Sequence, residues 1–180
     1  MMKRFALFSL IGILLTSMGV AAPLLGTKNP FYESVFCKFY LCDLIERKML
    51  TSSIEQFEYA VTPNESDYHS SIKSVWVTRE NGVLIGGGMS MGVQDDFFAS
   101  SGQNGFVQRF IESLTGVRVN DDQLGQLQRL ANQNVSEAGR TGKPMSESSI
   151  RVGSVGQKMS LFFRLVPRGS YWDAQFRVSL

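Results

Sequence analysis

The chain has 180 residues with 18 Lys/Arg against 16 Asp/Glu, and its two cysteines and single histidine are a poor set for a four-ligand structural zinc site. Two of the basic residues, Lys3 and Arg4, belong to an N-terminal export pattern, so the remainder is close to neutral and the whole-chain charge misleads about partners. That neutrality hides a division: residues 22–137 carry nine Lys/Arg against fourteen Asp/Glu, whereas residues 138–180 carry seven against two.

After Lys3 and Arg4 the sequence is apolar over residues 5–20, and Gly19 and Ala21 put small side chains at the −3 and −1 positions of a cut after Ala21, the tripartite pattern of a secretory signal. The expectation is an exported protein, periplasmic or extracellular, with a signal segment 1–21, a short linker 22–31 containing Pro23 and Pro30, and one domain over 32–180. Left uncleaved, the stretch from Phe5 to Ala22 would be near the lower limit of roughly 17–25 residues for a membrane span, and only then would a membrane be a partner. In either case Lys3 and Arg4 stay on the cytoplasmic side. The length left is enough for a real core burying about two-thirds of the unfolded surface.

Export places Cys37 and Cys42, in FCKFYLC, where a disulfide persists. Residues five apart in a continuous helix or strand exceed the Cα separation a disulfide tolerates, roughly 4.4–6.8 Å, so the expected bond requires the chain to turn between them. Around them, Val35, Phe36, Phe39, Tyr40 and Leu44 fall at helical spacing, while the aromatic and β-branched content of residues 32–50 fits a strand. Both readings stay open.

Phe57, Tyr59 and Val61 alternate with polar neighbours and predict a half-buried strand ending at Pro63, followed by a polar loop that contains His69. Residues 71–78 alternate again, and Asn81-Gly82 predicts a tight hairpin into a strand over 83–93. In that strand Gly86, Gly88, Ser90 and Gly92 share one face; Ile85, Met89, Met91 and Val93 share the other, with Gly87 among them. The nearly bare face is expected to admit a closely packed helix. A phosphate-binding loop is the competing reading of so many glycines. It fails on spacing, because Met91 and Met89 stand where the dinucleotide fingerprint needs glycine and Val93-Gln94 where the P-loop needs Lys and Ser/Thr. Asp95 and Asp96 would also repel an anion at the following helix start. No nucleotide, metal or other cofactor is expected.

Phe106, Val107, Phe110, Ile111 and Leu114 make the apolar face of an amphipathic helix stopped by Gly116. A second helix starts at the N-cap Asn120 with Gln123 as capping-box partner, Asp121 and Asp122 against its dipole, and Leu124, Leu127, Leu130 and Ala131 on one side. Helix-start chemistry accounts for these acidic pairs without calcium or acid–base catalysis. Residues 136–149 read as a long polar loop. Strands follow over 150–155, 159–166 and 171–180, the last two joined by a native proline–glycine turn, LVPRGS, at 165–170.

Strands, then two helices, then strands predict an α+β fold: an antiparallel or mixed β-sheet of about five to six strands with the central helix pair packed on one face. The leading functional expectation is a non-enzymatic binding domain of the cell envelope or exterior. Its basic C-terminal sheet surface would comprise Arg151, Lys158, Arg164, Arg168 and Arg177, with the 136–149 loop beside it, and would hold a protein or an anionic polymer. Aromatic side chains near these cations are too few to support nucleic acid as the partner. The alternative is a small exported serine hydrolase. It would use Ser90, in the G-x-S-x-G match Gly88 to Gly92, with His69 as base, although this match sits inside a strand pattern and not at a strand-to-helix elbow.

Overall fold

The computed structural model describes residues 22–62, 71–93, 101–143, 145–152, 156–165 and 172–180, and in it the ambiguous stretch 32–50 is helix and strand in turn. A 3-10 turn, Phe31–Glu33, leads into helix α1, Val35–Tyr40. Ser34 caps the helix through its hydroxyl, which accepts from the Cys37 N–H. Leu41 ends it in the left-handed region at φ 48°, and strand β1, Asp43–Met49, follows. This reversal is the turn the cysteine spacing demands: Cys37 and Cys42 are bonded with their Cα atoms 4.9 Å apart. The loop closed is short, so removing the bond by Cys37→Ser with Cys42→Ser is expected to cost only about 2 kcal/mol. In a thermal unfolding scan that corresponds to a fall in Tm of about 4–8 °C.

The remaining strands are β2 (Ile54–Ala60), β3 (Ser71–Glu80), β4 (Val83–Val93), β5 (Ser148–Arg151), β6 (Lys158–Leu165) and β7 (Trp172–Ser179). They form one antiparallel sheet in the order β1-β2-β3-β4-β7-β6-β5. The α+β class is as expected, but seven strands exceed the expected five to six. The additional one is β1, which the mixed pattern of 32–50 concealed. β1 and β5 are the edges, and each is guarded: β1 by Glu46, Arg47, Lys48 and a bulge at Ile45, β5 by its four-residue length. The β3–β4 hairpin turns at Asn81 and Gly82, with φ 50° and 78°, as the dipeptide requires.

Register defines what each face of the sheet carries. One inner row crosses all seven strands as Leu44, Tyr59, Val75, Met89, Phe176, Leu161 and Ser148; the next runs Arg47, Phe57, Val77, Gly87, Val178, Met159 and Ile150. Against these rows pack helices α2, Ser101–Thr115, and α3, Asp121–Thr141, which contribute Phe106, Val107, Phe110, Ile111, Leu114, Leu124, Leu127 and Ala131 to the same core. Phe31, Phe36, Tyr40, Phe106 and Phe110 interlock there, with ring centroids 4.5–5.8 Å apart.

The glycine-rich strand is extended and lies beneath a helix, but with the faces exchanged relative to expectation. Gly87, on the Met89 face, is the residue that admits α2: a Cβ there would stand 3.0 Å from Leu114 Cδ1 and 3.3 Å from Phe110 Cζ. Gly86 and Gly88 face away from the helices, and the Trp76 indole occupies the space a side chain at Gly88 would need. The sequence pattern finds the bare face correctly and assigns it the wrong cover.

Two further expectations are corrected. Helix α3 does not stop at Ser136; it runs on through Glu137, Ala138 and Arg140, ordinary helix formers, to a left-handed Gly142 at φ 67°. Of the 136–149 loop there remains only the short connection to β5, and Asn134 ties it to the helix by donating Nδ2 hydrogen bonds to Ser146 O at 3.2 Å and Ser148 Oγ at 2.8 Å. The segment 22–31 is more than a linker: Leu24, Leu25 and Phe31 are buried, the Leu24 and Leu25 N–H groups donate to Leu114 O, and the Arg79 guanidinium donates to the Lys28 and Asn29 carbonyls. The C-cap at Gly116 and the Asn120–Gln123 capping box form as read from the sequence.

Candidate functional site

With the helices on one side, the opposite face of the sheet carries mostly polar residues. Its central row is Glu46, Glu58, Trp76, Gly88, Arg177, Ser160 and Ser149; beside it run Lys48, Gln56, Thr78, Gly86, Ser179, Lys158 and Arg151, and on the other side Ser74, Ser90, Gln175 and Phe162 align in register. Because strands 1–4 occupy one half of the sheet and strands 5–7 the other, the charge division of the sequence becomes a division across this face. Glu46 and Glu58 stand on the β1–β2 side, with Lys48 beside them, and Arg151, Lys158 and Arg177 stand on the β5–β7 side.

A shallow depression of about 530 Å3 opens in the middle, lined by Gln56, Glu58, Ser74, Trp76, Ser90, Gln175 and Arg177. Gly88 presents no side chain, and the Trp76 indole lies over it as part of the lining. Trp76 is half-buried and leans from β3 across β4. Arg177 is exposed, and its Nη2 donates to Gln175 Oε1 at 3.3 Å. The groups gathered here are two carboxamides, one carboxylate, one guanidinium, two hydroxyls and one indole.

Arg151 and Lys158 are directly opposed on β5 and β6, both exposed, one row from Arg177. Arg164 is placed by register opposite Asp173 on β7. Arg168 and the LVPRGS turn lie outside the described residues, as do His69, Asp95, Asp96, the signal segment and Asn64-Glu65-Ser66, one of two N-x-S glycosylation sequons, the second being Asn134-Val135-Ser136. In the other sequon, Asn134 Nδ2 is the atom a glycan would occupy, and it is engaged in the ties to Ser146 and Ser148. Ser90 stands in extended β4, paired in register with Ser74 and Gln175, where the strand makes none of the sharp bend a nucleophile elbow needs.

Two ionisations are displaced elsewhere on the molecule. The hydrogen bond that Arg47 Nη2 donates to Glu55 Oε1 at 2.8 Å holds the guanidinium above its ordinary value, and burial pushes the Tyr59 phenol up. Among the described residues no group of three or more His, Cys, Asp or Glu side chains is placed to hold a metal ion, and no helix is long and apolar enough to cross a membrane.

Sequence reasoning missed Trp76, Gln56, Glu58 and Gln175. The signal was present in part: within the alternating strand, Ser74, Trp76 and Thr78 share a face opposite to Val75 and Val77, so an indole stands among outward residues. Its neighbours could not be read, because a bulge at Ile85 shifts the hairpin register by one: Arg79 pairs with Leu84, but Thr78 pairs with Gly86. Comparison of the chain with protein-family models, with curated proteins and with solved structures finds no match.

Proposed function

We propose that this protein is an exported, non-enzymatic binding domain that holds an anionic polymer of the cell envelope or exterior against the open face of its sheet. Arg151, Lys158 and Arg177 are the cationic contacts, with Arg164 farther along β6. The observation that carries this reading is the directly opposed pair Arg151 and Lys158. Like charges facing each other across an antiparallel pair are destabilising within the fold, and among the described residues neither has a carboxylate partner at ion-pair distance. An anion bound over the pair turns that repulsion into attraction. The disulfide fits an oxidising compartment, and the charges and bulge on β1 and the shortness of β5 favour the face over an edge as the binding surface.

The test is retention on a sulfated or carboxylated polysaccharide matrix. Retention at low salt should weaken steeply as ionic strength rises, and the triple variant R151E/K158E/R177E should lose it. The matching control is K143E/R129E/R140E, which changes net charge equally around α3, where all three residues are exposed. Equal loss in both variants would mean that overall charge and not this face governs retention, and the reading would fall. Absence of retention by the native protein, with binding to an acidic protein instead, would replace the polymer by a protein partner.

A further inference from the structure

The depression beside these cations has a composition that a purely electrostatic surface does not need. Of its seven lining residues only Trp76 is apolar, and the ring borders the space directly because Gly88 lies beneath it. A peptide docking there would find no apolar pockets for its side chains and no free strand edge. Within the depression a nucleic acid would meet one aromatic ring and the carboxylate of Glu58, which repels phosphate. What fits is a ligand with one apolar patch of polarised C–H groups, a rim of hydroxyls and a negative charge on one side.

We propose that the Trp76 depression is a subsite for a sugar ring of an acidic polysaccharide, a deepening that rests on the reading above. The negative face of the indole receives the C–H face of the ring. Gln56, Glu58, Ser74 and Ser90 exchange hydrogen bonds with its hydroxyls, and Gln175 orients Arg177, whose planar fork takes a sugar carboxylate bidentately. Charge complementarity sets the direction. Glu58 and Arg177 stand in one row on β2 and β7, three strand spacings or roughly 14 Å apart, so hydroxyls lie toward the acidic half of the sheet and the carboxylate toward the basic half. Past Arg177, the Lys158 and Arg151 pair continues the anion track toward the β5 edge. Gly88 is thereby a positioning residue: its missing side chain lets the indole lie across β4.

The experiment uses the full exported chain carrying Trp172→Phe, which leaves Trp76 as the sole tryptophan reporter, titrated with trigalacturonate and separately with the neutral trisaccharide maltotriose. A saturable change in Trp76 fluorescence with trigalacturonate is expected, with maltotriose at least fivefold weaker. Trp76→Ala should weaken trigalacturonate binding, measured by calorimetry, at least tenfold, whereas Trp76→Phe, which keeps a ring, should stay within about threefold. Arg177→Gln should erase most of the preference for the acidic over the neutral sugar. Loss of affinity in a variant whose circular dichroism is unchanged supports the subsite. Equal affinity of the native and Trp76→Ala proteins overturns it, and so does an equal Trp76 response to polyglutamate, which would make the depression a general anion surface. Retention on the anionic matrix with a silent Trp76 removes the sugar subsite and leaves the binding reading standing; loss of both removes both.

Discussion

Replacing Phe36 by alanine is expected to lower the stability of the fold by about 3–5 kcal/mol, a large share of the roughly 5–15 kcal/mol that holds a domain of this size together. The side chain is fully buried, and its ring packs against Phe31, Tyr40, Phe106 and Phe110 with centroids 5.8, 4.9, 5.0 and 5.3 Å away. Those partners come from the N-terminal turn, α1 and α2, so the cavity left behind is bounded by separate elements that the sheet holds apart, and collapse around it is incomplete. The Phe36 N–H donates to the Ser113 hydroxyl at 3.2 Å, and alanine preserves that bond, so the loss measures packing. Urea unfolding should show a midpoint shifted in proportion with an unchanged slope; Phe36→Leu should recover part of it. A loss below 1 kcal/mol for the alanine variant would mean that α1 is not anchored through this ring.

A single methyl group at position 87 is expected to cost about 1–3 kcal/mol. The Cβ of Gly87→Ala would stand 2.9 Å from the Trp76 carbonyl oxygen, 3.0 Å from Leu114 Cδ1 and 3.3 Å from Phe110 Cζ. The leucine end can swing aside; the carbonyl belongs to the β3–β4 ladder and cannot, so either the pair of strands separates or α2 lifts. Valine at the same position adds two further methyls and should lie at or above the upper end of that range. The same chemical change in α3 provides the internal control. Gly125→Ala meets only the Arg129 guanidinium at 3.5 Å and removes the helix penalty of glycine, so it should stabilise by about 0.5–1 kcal/mol. Opposite signs for two Gly→Ala changes, read by the same denaturation curve, would establish that Gly87 is a packing residue. A neutral Gly87→Ala would deny the close approach of α2.

Much of this architecture was legible from local chemistry. The Asn120–Gln123 capping box, the Gly116 stop and the Asn81-Gly82 turn each depend on groups within four residues of one another, and all three form as read. The disulfide was expected from export, and geometry added that the chain must turn between the cysteines, which it does at Leu41. Residues 32–50 resisted because two elements share one apolar pattern: Phe36 and Tyr40 serve the helix, whereas β1 is an exposed edge whose apolar residues Leu44, Ile45 and Met49 need no period. The end of α3 was misread because Ser136, Gly139 and Thr141 read locally as loop residues, yet helix hydrogen bonds continue to be made at low cost until a left-handed glycine ends them.

Local pattern suffices to show that strands, a helix pair and further strands follow one another, that charge is divided along the chain, and that one face of residues 86–92 is nearly bare. That α2 lies over Gly87, and that Trp76, Gly88 and Arg177 fall into one row on the other side, emerges from long-range pairing. Register accounts for the difference. Side-chain direction in a strand has a period of two, so the one-residue bulge at Ile85 reverses which neighbours a glycine meets, and the pairing of β4 with the last strand of the chain is a long-range contact that no local pattern encodes.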